Sequence, residues 1–523
     1  MSLIDSTLGT AINYVGTASG VTIKSNNGSG VDTINVEGLD SLNASDLTIT
    51  GDSNDLVTFQ NNGTAMGASD LTVFAQTITV SSDVSSTDGL IDFTASRNIF
   101  LAAGRSLTTV DGAITLLAND GGSTTGQFAG IKLNSATIST TGTGNISLTG
   151  YGANSGDNNN YGIQLDSSSI SSMSTATDAG TITLNGIGGN GTDNLVGVLL
   201  LGESQITSDS GDIQLTGQGG NGSGAGNVGV MLLNGSEIIS TGIGAGAADI
   251  TITGTGATST FLGHGVMISG NDAGIQSVDG NISITGSGYG GSGSQHFGVQ
   301  LNNSLITSTG TGTGAATITI DGTGGGGLDY HRGIQMADST ITTRDGDLTL
   351  LGQGGGNGTN YFNQGIGIQN STITSTGTGS DAAVITLHGT GGSGTISNDG
   401  ITLHSSTLIS SEVADIFLTS EGNVWMDYGS TLQSDSGDIS IDVNYQNGNN
   451  VGQFIMNQNS LVDAGSGNID LDAAGDIKLT GLSSTAHVAV DSASGSILDN
   501  DDTLVDIIAA TASVNAAGSI GTG

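Results

Sequence analysis

Cysteine and proline are both missing from the 523-residue chain, and only 4% of its residues are aromatic. Without cysteine there is no disulfide, no thiol nucleophile and no cysteine-based zinc site. So few rings exclude the bulky cores of ordinary globular domains, and something other than large side chains must hold the chain together. Positive charge is scarce too. Seven basic groups (Lys24, Lys132, Lys478, Arg97, Arg105, Arg332 and Arg344) stand against 47 acidic ones, a formal net charge of −40. Such a surface repels phosphate backbones and anionic lipid heads, which argues against nucleic acid and membrane surfaces as partners. No apolar run reaches the length of a membrane span, and no basic segment followed by an apolar one opens the chain, so membrane insertion is not expected.

What the chain has instead is glycine, 91 residues of it, and aspartate. Glutamate occurs only as Glu37, Glu203, Glu237, Glu412 and Glu421. The short aspartate side chain suits turns and cation ligation, because it reaches its own backbone or a bound ion. Divalent cations are the natural counter-charge, and calcium is the candidate cofactor.

One sentence is written repeatedly: "GIKLNSATISTTGTG" from Gly130, "GVQLNNSLITSTGTG" from Gly298 and "GIGIQNSTITSTGTG" from Gly365. Aligned on that glycine, copies open at Gly130, Gly162, Gly197, Gly229, Gly265, Gly298, Gly333, Gly365 and Gly400, at intervals of 32 to 36 residues. A fixed period of this size signals a solenoid or an array. Each copy holds three short segments of alternating apolar and polar residues, such as "GIQL", "STITS" and "TITLNG". Rich in Ile, Val and Thr and bounded by Gly, Asn and Asp, these read as strands; no 3.6-residue period supports helix. The expected unit is a coil of three strands. Ile131, Leu133, Ile138, Ile146 and Leu148 should face inward in the coil opening at Gly130, and Ile366, Ile368, Ile373, Ile385 and Leu387 in the coil opening at Gly365. Like stacked on like, they would form apolar ladders with backbone bonds between coils about 4.8 Å apart.

A second period lies inside the first. The corner between the second and third strands alternates in length, as in Ile206 to Ile213, Ile239 to Ile250, Ile275 to Ile282 and Ile306 to Ile318. The long corners share "TGIGAGAAD", "TGTGTGAAT" and "TGTGSDAAV", so the duplicated unit is a pair of coils. The Gly-rich stretch from the third strand to the next opening glycine keeps a nearly constant length. Three regions follow: irregular coils in 4–129, nine regular coils in 130–420 and shorter coils in 421–523. Neither flank shows a polar cap, and an uncapped edge is adhesive, so adjoining segments of a longer chain are expected as partners.

The phrases "GNISLTG", "GDIQLTG", "GDLTLLG", "NIFLAAGRSLTTVDGAITLLAND" and "GSILDNDDTLVDIIAATASVNAAGSIGTG" resemble the filamentous-haemagglutinin-like surface and secreted proteins of bacteria. The likeness covers most of the chain from about residue 70 onward and resides in scaffold phrases. It implies an all-β fold, an elongated right-handed parallel β-helix. It also implies a location outside the cell or on its surface, and a structural or adhesive role; the residues themselves show no catalytic constellation, so no enzyme is expected. The Asn-Pro secretion motifs of that family are absent.

Chemistry-bearing patterns are few. "GGNGTDNLV" from Gly188 fits the nonapeptide of calcium-binding β-rolls, but tandem copies are missing and the distant "GGNGTNYFN" carries Asn360 where Asp is needed. Asp209 and Asp212 in "SDSGD", or Arg344, Asp345 and Asp347 in "RDGD", offer looser corners for calcium. "GHGVMISG" resembles the Gly-His-Gly signature of polygalacturonases, which makes a polysaccharide-active β-helix enzyme the alternative function. The repeat explains His264 more simply, as the residue before an opening glycine, where Tyr161, Val196 and Phe297 also fall. His296 and His331 each stand two before a glycine and read as exposed loop residues, with Asp329 the one nearby third ligand for a metal. Thr in the "ITSTG" rows reads as a good strand former rather than an ice-binding array. The remaining signal is aromatic. Tyr151, Tyr161, Phe261, Tyr289, Phe297, Tyr330, Tyr361 and Phe362 all fall in the Gly-rich loops. Tyr330 and Phe362 sit three before their glycines and should stack in adjacent coils. Tyr330, Tyr361 and Phe362, with His296 and His331, are therefore the candidate ligand-binding residues, and a glycan or a cell or abiotic surface is the candidate partner.

The charge generates a prediction. Carboxylate repulsion opposes stacking, and calcium bound by the folded form alone stabilises it by mass action. The melting temperature should rise on exchange of chelator for millimolar calcium; an unchanged curve removes calcium from the account.

Overall fold

The computed structural model describes residues 20–25, 30–39, 45–358, 361–443, 452–500 and 505–521, with the backbone alone of 2–5, 10–13, 446–447 and 450–451. The chain parts into two compact units, Met1–Thr253 and Gly254–Gly523. The fold is all-β: about 50% of residues lie in strands, and helix among the described residues is confined to the short 3-10 turns Asp120–Gly122 and Gly244–Gly246.

Pairing follows the repeat. In the first unit Ile131–Asn134 pairs with Ile163–Asp166, Thr137–Thr140 with Ser169–Ser172 and Ile146–Tyr151 with Ile182–Ile187, all parallel. In the second unit Ile334–Ala337 pairs with Ile366–Gln369, Thr340–Thr343 with Thr372–Ser375 and Leu348–Gln353 with Ile385–Thr390, again parallel. Both units are thus parallel β-solenoids. Row A contains Ile131–Asn134 and its equivalents, row B Thr137–Thr140 and row C Ile146–Tyr151.

Like does stand on like. Ile131 is in register with Ile163, and Ile163 with Val198; Ile146 is in register with Ile182, and Ile182 with Ile213. Every residue expected to face inward, from Ile131 to Leu148 and from Ile366 to Leu387, is completely buried. Each such burial contributes about 1.5–3 kcal/mol. One inward assignment needs correction: Ile238, and not Ile239, is buried and pairs with Ile206. The segment "EIIS" offers two isoleucines, and the register that puts Ser240 beside Ser208 decides between them.

Corners raise a different problem, because backbone N–H groups there leave the strand ladders and still need partners. Side chains of the neighbouring rung supply them. Before row B, Ser204 Oγ accepts the Ser168 N–H (3.0 Å) and Ser236 Oγ the Ser204 N–H (3.3 Å); Ser339 and Ser371 repeat this for Ser304 and Ser339 at 3.1 and 3.0 Å. Before row C, Asn145 Oδ1 accepts the Thr181 N–H (2.9 Å), Asp212 Oδ1 the Asp249 N–H (3.0 Å) and Asp347 Oδ1 the Val384 N–H (3.0 Å). The recurring "GNI", "GDI" and "GDL" are thereby explained. Their glycine is required because successive backbones nearly touch: a Cβ on Gly211 would lie 2.0 Å from the Gly180 carbonyl oxygen, and one on Gly346 1.9 Å from the Ala316 carbonyl oxygen.

The flanks continue the rows with closer rungs. Leu47, Leu71, Ile91 and Ile114 are in register near the start, and Ile416, Ile439, Ile469, Val488 and Ala512 near the end. Two antiparallel pairings join the start of the ladder at Thr33–Val36. There Ser2–Asp5 pairs antiparallel, and Thr10–Asn13 pairs antiparallel with Ser2–Asp5 in turn.

The register makes a test possible. Ile238→Ala should cost about 2–5 kcal/mol, as cavities in packed cores do, and Ile239→Ala under about 1 kcal/mol. Urea unfolding of both variants checks this, and the reverse order would contradict the register.

Candidate functional site

The loops that follow row C return to the opening glycine through a left-handed backbone position three residues before it. In the first unit Asn159, Asn194 and Gly226 hold that position with φ of 62°, 56° and 78°. Asn and Gly are the residues that tolerate it. In the second unit the same position is taken by Leu262, Gln295, Tyr330, Phe362 and Ser397, at φ of 57°, 56°, 60°, 59° and 53°. A bulky side chain there costs roughly 1–2 kcal/mol, so local conformation does not select Tyr330 or Phe362.

Neighbouring loops are bonded to each other. The Tyr330 N–H donates to the Tyr361 carbonyl and the Phe362 N–H to the Ile396 carbonyl, both at 3.1 Å, while Asp329 Oδ1 accepts the Tyr361 N–H at 3.0 Å. This ladder brings the Tyr330 and Phe362 rings into a stack with centroids 5.0 Å apart and planes 13° apart. Tyr330 is 38% exposed, Tyr361 44% and Phe261 39%, and Phe362 is half-buried. Leu328 and Ile396 add exposed apolar surface to the same loops. Tyr330 and Phe362 are therefore stacked in adjacent coils as expected, and Tyr361, next to Phe362 in the chain, is exposed.

The histidines are placed differently. His296 and His331 are completely buried, not exposed on loops. Their rings stack at 5.2 Å, and Tyr289 meets His296 edge-on at 5.7 Å. His296 Nδ1 accepts the Gly263 N–H at 3.0 Å, and His331 Nδ1 accepts the His296 N–H at 3.4 Å. Asn363 Oδ1 then accepts the His331 N–H (3.0 Å) and Asn398 Oδ1 the Asn363 N–H (3.2 Å); in the first unit Asn227 Oδ1 does the same for Leu195 at 3.1 Å. Imidazole Nδ1 and carboxamide Oδ1 are thus interchangeable acceptors in one column. The accepting Nδ1 fixes the neutral tautomer with its proton on Nε2. In His296 that atom lies toward the Ser292 carbonyl, in His331 toward the Gly293 carbonyl, without closing a regular hydrogen bond.

His264 also is buried, stacked on Phe297 at 4.8 Å, with Nδ1 accepting the Phe297 N–H at 3.0 Å. The repeat explanation of the Gly-His-Gly match accounts for this placement. The Asp-rich corners are occupied in the same manner. Asp212 and Asp347 accept the backbone bonds described above, Asp345 Oδ2 accepts the Gly312 N–H at 2.7 Å and Asp209 Oδ2 the Thr241 hydroxyl at 3.3 Å. In "GGNGTDNLV" Asp193 Oδ1 accepts the Ala225 N–H at 2.7 Å; Asn360 lies outside the described residues. Among the described residues no three His, Cys, Asp or Glu side chains are grouped to hold a metal ion.

The Asn/His column escaped the sequence reading, which treated the histidines as a pair. Its signal was present in part: two before the opening glycine stand Asn227, His296, His331, Asn363 and Asn398, while Phe128, Leu195 and Gly263 break the run and the Asn160 Oδ1 accepts no bond. Only an acceptor role unites those two residue types.

Burial gives the column a pH dependence. It lowers His264 to about 3, helped by the charge on His296. Burial likewise lowers His296 to about 4, against the Ser292 carbonyl, and His331 to about 4, with the charge on His296 and against Gly293 and Asp329. An unfolded histidine takes up its proton near pH 6.5. Stability is therefore full above pH 6.5 and falls as pH drops from there to about 4, where the folded histidines protonate in turn. His296→Asn and His331→Asn should keep stability at pH 7 and flatten this slope, whereas His331→Ala, which strands the His296 N–H, should cost about 1–3 kcal/mol at pH 7. Chemical unfolding from pH 4 to 8 reads both, and a slope unchanged in the asparagine variants contradicts the assignment.

No protein-family model, curated protein or solved structure matches this chain.

Proposed function

We propose that the chain is a structural and adhesive segment of a large extracellular bacterial surface or secreted protein, and that its coils form a right-handed parallel β-helix with three strands each. The loops after row C present the binding surface, and its ligand is a glycan or a cell or abiotic surface. One observation carries the reading: Tyr330 and Phe362, both in a left-handed backbone position that Asn159 and Asn194 fill in the first unit and that asparagine tolerates better, stack at the surface beside an exposed Tyr361. Rings kept there against local preference offer flat apolar faces. Sugar C–H faces pack on such rings while the hydroxyls bond to neighbouring Asp and Asn side chains. The likeness of the scaffold phrases to filamentous-haemagglutinin-like proteins supports the same assignment, as does a solenoid whose described acidic corners serve its own backbone. Of the candidate ligand-binding residues, His296 and His331 act from inside by fixing the loops that carry Tyr330 and Phe362.

The left-handed position supplies a clean test. Tyr330→Asn with Phe362→Asn restores the residue preferred there, so the melting temperature should hold or rise by a few degrees. Adding Tyr361→Ala should abolish binding in a glycan array and in surface-adhesion assays run with and without calcium. Adhesion that persists in the folded triple variant would discard the binding surface. A melting temperature lowered by the asparagines would make the rings structural.

A further inference from the structure

A second site lies in the first unit, on the outer face of row A. Phe100, Lys132 and Gln164 are successive rungs of that face, in register with one another. In the other coils the residue before the opening glycine is larger than alanine. Val196, Val228 and Phe297 are buried in that position, and Leu199 on row A is only 4% exposed. Ala129 holds the position before Gly130 and is too small to cover anything. A pocket of about 450 Å³ opens there, within the roughly 300–1,000 Å³ of small-molecule sites.

Its lining is unlike the rest of the molecule. Phe100, Phe128 and Tyr161 supply rings, and Asn98, Gln127 and Gln164 supply amides. In a chain with 47 acidic residues none of the lining residues is Asp or Glu, and one is Lys132. Among the described residues Lys132 forms no ion pair. Arg97 stands close by, its guanidinium 4.4 Å from the centre of the Phe128 ring and bonded to Asn98 Oδ1 at 2.8 Å. The Tyr161 hydroxyl donates to Asn159 Oδ1 at 3.0 Å, which holds that ring against the opening.

We infer that this pocket binds an anionic sugar, one pyranose ring bearing a carboxylate or a sulfate. The apolar ring face packs on Phe100 and Tyr161, the hydroxyls exchange hydrogen bonds with the amides, and the anion forms a charge-assisted bond to the Lys132 ammonium. Local positive charge in a field of carboxylates makes the site selective for acidic over neutral sugars. The inference stands apart from the aromatic loops of the second unit, since it uses none of their residues.

Calorimetric titration of the whole chain with galacturonic acid, galactose 6-sulfate and neutral galactose tests it. Either or both anionic sugars should bind at millimolar concentration or better, and galactose at least tenfold more weakly; which anion binds identifies the group recognised. Lys132→Gln should weaken binding at least tenfold, and Ala129→Phe, which fills the pocket, should abolish it, each with an unchanged melting temperature. Lys132→Gln alone decides if Ala129→Phe unfolds. The inference is overturned if neither anionic sugar binds, if galactose binds equally well, or if binding survives Lys132→Gln. The Tyr330 and Phe362 variants leave this pocket intact, so either site can fail without the other.

Discussion

Every coil of this solenoid must turn corners, and at each corner backbone N–H groups point away from any strand. Left without partners in a closely stacked chain, each such group costs free energy comparable to a lost hydrogen bond. At many corners the solution is one small acceptor, bonded to the N–H of an adjacent rung: serine before row B, aspartate or asparagine before row C, asparagine or histidine before the opening glycine. The composition follows from this. Many of the aspartates act as inter-coil acceptors, glycines appear where successive backbones almost touch, and the aliphatic ladders need no large rings. Proline, which lacks the N–H that the ladders use, has no place in such strands.

Because the columns fix the backbone, the outward residues of the loops are free to differ from coil to coil. The first unit puts Asn159 and Asn194 where the second puts Tyr330 and Phe362, and the backbone at that position is left-handed in all four. One coil exchanges the bulky covering residue for Ala129 and gains a pocket over Phe100 and Lys132. What the surface presents is thus decided by single positions within recurring slots. The buried histidines show the converse, a residue type associated with chemistry drawn into the structural column.

Much of this was legible in the sequence. The opening glycine and the alternation of Ile with Thr located the strands, the inward residues and the Tyr330–Phe362 stack, because a parallel register places equal positions over each other. The errors have distinct physical origins. Period two cannot choose between two adjacent isoleucines, and Ile238 was decided by the serine column. Exposure of His296 and His331 was inferred from their place in a Gly-rich loop, whereas that loop folds back so closely that both rings are enclosed. The pocket was invisible for another reason: its cause is the smallness of Ala129, and a missing side chain leaves no motif.

The account rests on corner N–H groups being held by side chains of the neighbouring rung as firmly as strand N–H groups are held by backbone. Amide hydrogen exchange, resolved at Ser204, Ser304, Thr181 and His331, measures this directly. These amides should exchange as slowly as those of the strands Ile182–Ile187 and Leu348–Gln353 beside them. Rapid exchange at the corners with protected strands would mean that the polar columns do not hold the coils, and would contradict the account.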